Sequence, residues 1–185
     1  MSGLIVVDTD DVSNVRPEDE EAVRGFAVWK HRPKQSAARD PHPPTPQQVY
    51  AGLMKSAFAP ALRAAGLRGS AGRFELPSEV YWAQLGFQKS AYSDGQEVRF
   101  TVNLSSIRRD EWEAQAAVKP YLGQKPTPNT LYGAWADQVR IGVLANHGQD
   151  KWWRIVRGGE ADDVRDDALK DLLTYGVPWL RERVV

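Results

Sequence analysis

Residues 80–104 read VYWAQLGFQKSAYSDGQEVRFTVNL, and this stretch decides the fold. Its second half alternates: Val98, Phe100, Val102 and Leu104 are apolar, while Arg99, Thr101, Asn103 and Ser105 are polar. A period of two is the mark of a strand with one face buried. The first half alternates more loosely, with Tyr81, Ala83, Leu85 and Phe87 on one face. Between them, Ser93-Asp94-Gly95-Gln96 is a cluster of turn formers. The stretch therefore predicts a long antiparallel hairpin, apolar on one side. The other side presents Gln84, Gln88, Ser90, Arg99, Thr101 and Asn103.

Working outward, Arg73-Phe74-Glu75-Leu76 predicts a short strand that Pro77 ends. Before it, Thr45-Pro46 is an N-cap followed by proline at the first helical position. Val49, Leu53, Ala57 and Leu62 then recur at helical spacing. Pro60 falls inside this helix and should kink it; Gly66 should end it. After the hairpin, Asp110-Glu111-Trp112-Glu113 predicts one or two helical turns. Residues 119–130, with three prolines and a glycine, form a long loop. Loops of that length often cover a site. Val139, Ile141 and Val143 predict a strand over 138–145, and Lys151 to Arg157, with the strand-forming run Trp152-Trp153-Arg154-Ile155-Val156, its partner strand across the Asn146–Asp150 turn. Asp162 and Asp163 open a last helix, with Val164, Ala168, Leu169, Leu172 and Leu173 on one face and Gly176 as its stop. Strands that cluster instead of alternating with helices imply an α+β fold. The expectation is a single antiparallel sheet of about five strands with helices packed on one face.

Residues 1–44 read as an N-terminal extension and proline-rich linker, and 45–185 as the α+β domain. Within the extension, residues 4–7 predict a short strand and 17–29 a short helix. The chain of 185 residues is sufficient for one well-buried core. Its 24 basic and 24 acidic residues cancel, which argues against general nucleic-acid binding. There is no cysteine, which removes disulfides, thiolate catalysis and zinc–thiolate sites. No run approaches the roughly 20 apolar residues of a membrane span. The expectation is a cytoplasmic protein with no membrane partner.

Four features invite a chemical reading. Val6-Val7-Asp8-Thr9-Asp10 has the spacing of a phosphatase nucleophile and acid with magnesium between them. That chemistry needs a parallel sheet and downstream motifs that the antiparallel pattern lacks, so no metal site is expected. His147 with Asp150 reads as turn chemistry, and the basic run Lys30–Lys34 as solvated linker. Ser90 lacks the Gly-x-Ser-x-Gly context of a nucleophile. The polar face is the constellation retained: Gln88, Ser90, Thr101 and Asn103, with Arg140 from the next strand. Amides and hydroxyls so arranged read a ligand by hydrogen bonds; alternatively they form a sheet face exposed to water. Trp152 and Trp153 are adjacent in a strand, so one should enter the core and the other should line the polar face or contact a partner.

The segments FAPALRAAGLRGSAGRFELPS (58–78), LGFQKSAYSDGQEVRFTVNLSSI (85–107), VRIGVL (139–144) and DKWWRIV (150–156) together resemble the bacterial family called domain of unknown function 4304. The resemblance covers about residues 45–182 and implies no established activity, so no catalytic residue is carried over. It singles out Gln88, Lys89, Ser90, Asn103, Arg140, Asp150, Trp152 and Trp153. The leading reading is a non-enzymatic binding or protein-interaction module, by analogy with small immunity or accessory proteins. The alternative is an enzyme acting on a small polar substrate at the polar face. Catalytic residues stay unknown and no cofactor is expected. The partner is an unknown protein or small polar ligand, held by Gln88, Ser90, Thr101, Asn103, Arg140 and Trp152.

Overall fold

The computed structural model of the chain describes residues 43–184. The expected strand at 4–7, the helix at 17–29, Asp8 and Asp10, and the Lys30–Lys34 run lie outside the described residues.

Helix α1 (Pro46–Leu53) opens on a reciprocal cap. The Gln48 backbone N–H donates to Thr45 Oγ1 at 3.2 Å, and Thr45 N–H donates to Gln48 Oε1 at 2.8 Å. Two of the helix's orphan donors are thereby satisfied. A π turn (Met54–Phe58) joins α1 to α2 (Ala59–Ala64), and the Ala59 N–H bonds Met54 O, five residues back. The cause is Pro60, whose ring and missing N–H do not fit an i to i−4 ladder. The expected interruption is thus a widened turn.

Six strands follow, with two more helices among them: β1 (Arg68–Ser70), β2 (Arg73–Leu76), β3 (Tyr81–Lys89), β4 (Glu97–Arg108), α3 (Arg109–Val118), β5 (Asp137–Arg140), α4 (Ile141–Ala145) and β6 (Trp153–Val156). All pairings are antiparallel, in the order β1-β2-β3-β4-β5, with β6 also on β4. The long hairpin is β3–β4, with Leu85 opposite Leu104 and Gln88 opposite Thr101.

Two sequence expectations are overturned here. The chain leaves the sheet at Arg140, and residues 141–145 form a helical turn. Ile141 is buried and Leu144 packs on the same core, the spacing of a helix, while Val143 is exposed. The 153–156 strand does not pair with β5 either. Both lie along β4, β6 against Glu97–Phe100 and β5 against Asn103–Ser106. One edge of this 12-residue strand accommodates them in succession.

The last helical arm is α5 (Asp162–Asp171), a second π turn (Leu172–Gly176) and α6 (Val177–Glu182). Val177 N–H bonds Leu172 O, and Pro178 follows, repeating the arrangement ahead of Pro60. Gly176 does not stop the helix as expected. It lies inside the arm with a Cβ position only 3.2 Å from Ile141 Cδ1, so its missing side chain permits close packing.

Both helical arms cover the apolar face, as the alternation predicts. Phe58, Leu62, Leu172 and Leu180 join Leu85, Phe100, Val102 and Leu104 in one core. The aromatic rings are in contact, Phe58–Phe87 at 5.2 Å and Phe100–Trp153 stacked at 5.3 Å between centroids. The opposite face is also covered in part. Trp112 of α3 buries against Trp82 and Ile107, joined by Tyr132 and Trp135. No helix among the described residues is long and apolar enough to cross a membrane.

Candidate functional site

The polar face of β3, β4 and β5 carries the candidate site. Directly opposed residues of an antiparallel pair point to the same side. The register therefore aligns Gln88 with Thr101, and Gly86 with Asn103 and Arg140. The loop over this face settles on Gly86. A Cβ there would lie 2.5 Å from Pro128 Cγ and 2.6 Å from Asn129 Oδ1. Pro126 and Pro128 are buried, so the prolines form a lid pressed onto the sheet and not a free loop.

Asn103 is the hub. Its Nδ2 donates to Gln88 Oε1 at 2.8 Å and to Asn129 Oδ1 at 2.9 Å. Its Oδ1 accepts from Arg140 Nε at 3.3 Å. Asn129 Nδ2 in turn donates to the Phe87 carbonyl at 3.1 Å. Gln138 ties the far end of the loop: its Nε2 donates to Thr130 O at 2.7 Å and its Oε1 accepts from Tyr132 N–H at 2.9 Å. Arg140 Nη1 meets Asp150 Oδ2 at 2.6 Å, and Trp152 Nε1 donates to the same oxygen at 2.9 Å. The Arg140 guanidinium lies 5.4 Å from the Trp152 ring centroid. Gln88, Asn103, Asn129, Gln138, Arg140 and Asp150 surround a cleft of about 510 Å3 whose apolar walls include Leu104, Val139 and Leu131.

Three of the residues expected on sequence grounds, Gln88, Asn103 and Arg140, line this cleft together. Trp152 stands behind Arg140 and holds Asp150. Thr101 is fully buried and its hydroxyl donates to Lys151 O at 2.9 Å, so it anchors the 150–152 segment beneath the surface. Ser90 lies at the end of the strand and accepts from Tyr92 N–H at 3.1 Å; it belongs to the hairpin turn. His147 takes a left-handed turn position, φ 49°, while Asp150 pairs with Arg140. Asn129, Gln138 and Leu131 are additions. Gln138 is legible in part, since alternation in the expected 138–145 strand puts it on the face of Arg140; the trace of Asn129 and Leu131 is the long proline loop and its end, whose landing place no local pattern specifies.

A family model described as "Domain of unknown function (DUF4304)" matches residues 58–182. The chain belongs to this family. The match takes in every strand of the sheet and each residue of the cleft. No curated protein and no solved structure matches the chain.

In this DUF4304 chain the 150–152 segment is also pinned from the helical side. Lys151 Nζ lies 2.7 Å from Asp167 Oδ2 and 2.7 Å from Asp171 Oδ2. Burial opposes charge on both Lys151 and Asp167, yet the mutual hydrogen bonds win: Lys151 is held above the usual amine range and Asp167 below the usual carboxylate range. A depressed acid contributes stability above its unfolded pKa and loses it as pH falls through the folded one. A raised amine contributes below its unfolded pKa and loses it as pH rises. The network should therefore hold from about pH 4 to about pH 10. Acidification from about pH 5 to about pH 3 should remove up to about 1 kcal/mol of stability that the Lys151→Met, Asp167→Asn double variant never had. Thermal melts across that interval check it; parallel melting curves for the two proteins would contradict it.

Proposed function

We propose that this chain is a non-enzymatic protein-interaction module whose partner seats on the cleft and on the crest beside it. The observation that carries this reading is Leu131, which is 89% exposed. It stands between the carboxamide cleft and a second hollow of about 280 Å3 lined by Tyr121, Leu122 and Trp135. Tyr121 is exposed as well. An apolar crest bordered by amides and an Arg–Asp pair has the anatomy of a contact surface, apolar at its centre and polar at its rim.

The chemistry of the cleft supports the same reading. Its lining has no hydroxyl, imidazole or amine side chain. Its one carboxylate, Asp150, is engaged by Arg140 and Trp152. Four carboxamides largely bonded to one another or to backbone make a rigid, uncharged rim, which lowers the ordering cost of association.

The test uses the full chain as bait in a lysate of its source cells, followed by mass spectrometry and measurement of the affinity for the captured protein. Leu131→Asp should keep the melting temperature and weaken that affinity by about tenfold or more. Gln88→Ala should weaken it by a smaller factor. Unchanged affinity in both variants, with the fold intact, would remove this surface from consideration.

A further inference from the structure

The helix-side face of the molecule carries a second opening, separate from the cleft and facing the other way across the sheet. It lies between α1 with its π turn and the β1–β2 hairpin, and encloses about 550 Å3. Tyr50, Met54 and Phe87 supply an apolar floor; Lys55, Arg63 and Lys89 supply charge. No acidic residue lines it.

That imbalance is local. The chain as a whole has equal numbers of acids and bases, and many acids lie elsewhere, Asp162, Asp163, Asp166, Asp167 and Asp171 on α5 alone. The ion pairs among the described residues involve none of the three cations of the opening. Arg63 is fixed in place by Gly69 O, 2.9 Å from Nη2. Lys55 and Lys89 are exposed, and Lys89 Nζ lies 5.8 Å from the Tyr50 ring centroid. Burial pushes the Tyr50 phenol up to about 12, so it stays a neutral O–H at physiological pH. Gly72 lines the opening at φ 82°, a conformation that favours glycine, and a Cβ there would meet Phe87 Cβ at 3.4 Å and Met54 Cε at 3.8 Å, ordinary contact distances.

Like charges around one hollow repel unless an anion is placed among them. A hydrated free ion would gain nothing from the Tyr50, Met54 and Phe87 floor. A neutral apolar molecule would gain nothing from the three cations. We propose that this opening binds an amphiphilic anion, its carboxylate or phosphate headgroup met by Lys55 and Lys89 and its apolar body laid on Tyr50, Met54 and Phe87. Lysines suit the rim because their stems cover apolar surface while the ammonium stays at the water boundary. Charge-assisted hydrogen bonds to an oxyanion are the stronger kind.

The test is calorimetric titration of the full chain with four probes: decanoate and decyl phosphate below their micelle-forming concentrations, decanol below its solubility limit, and acetate. One of the two long anions should bind saturably at one site, and which of them binds tighter separates a carboxylate source from a phosphate one. Decanol and acetate should each bind about tenfold more weakly or worse, since each lacks one half of the contact. The Lys55→Gln, Lys89→Gln double variant alters exposed side chains only and should weaken the long anion about tenfold or more. Leu131→Asp, on the other face, should leave it unchanged, so failure here and failure of the interaction reading are distinguishable. Decanol binding as tightly as decanoate, no saturable binding of either long anion, or full affinity in the double variant would each overturn the proposal.

Discussion

Replacing Trp153 by alanine is expected to lower the unfolding free energy by about 3–5 kcal/mol, whereas Trp152→Ala should cost about 1 kcal/mol or less. Trp153 is 4% exposed, stacks on Phe100 and donates through Nε1 to Asp167 at 2.8 Å. Its removal opens a cavity beside Phe100, near the start of β4, and takes one of two donors from Asp167 Oδ2, which keeps Lys151. Trp152 precedes β6, is half-buried and donates only to the exposed Asp150. Urea unfolding measures both. A shift of the midpoint at constant slope reads as stability, and equal small shifts for the two variants would contradict the assignment. The same experiment separates two roles: Trp152→Ala should loosen Arg140 and Asp150 while leaving the core intact.

Gly142→Ala should cost about 1–3 kcal/mol through overpacking, although alanine is the better helix former and Gly142 is helical. A Cβ on Gly142 would collide with the backbone nitrogen of Lys151, and would lie 2.8 Å from Lys151 Cβ and 2.9 Å from Asp150 C. Backbone does not yield as a side-chain tip does. The 150–151 segment would have to move, taking Asp150 from Arg140 and Lys151 from Asp171. Loss of stability and loss of partner affinity should therefore appear together. Gly52→Ala is the control, since nothing lies within 4 Å of its Cβ position in α1. It should stabilise the protein by about 0.5–1 kcal/mol. A Gly142→Ala protein as stable as the parent would show that this close approach is not required.

Much of the architecture is legible in the residues alone. The alternation over 97–104, with the turn cluster at 93–96, specifies β4 and its hairpin because strand periodicity is a local property of the chain. Thr45-Pro46 marks the start of α1 for the same reason, since a cap is made within three residues. Parity also puts Gln88, Asn103 and Arg140 on one face without any tertiary information. It says nothing about what lies above that face. Thr101 shares it, yet is sealed beneath Lys151, and Asn129 and Leu131 enter the site only because the proline loop lands on Gly86. The chain's exit from the sheet at Ile141, and the pairing of both β5 and β6 with β4, were likewise decided by the tertiary structure. Three alternating residues, Val139, Ile141 and Val143, are too few to exclude a helical turn whose Ile141 and Leu144 reach the core. Which strand edge stays open depends on contacts between residues 31 to 37 positions apart for β5 and 53 to 59 for β6, and no pattern within either segment encodes those distances.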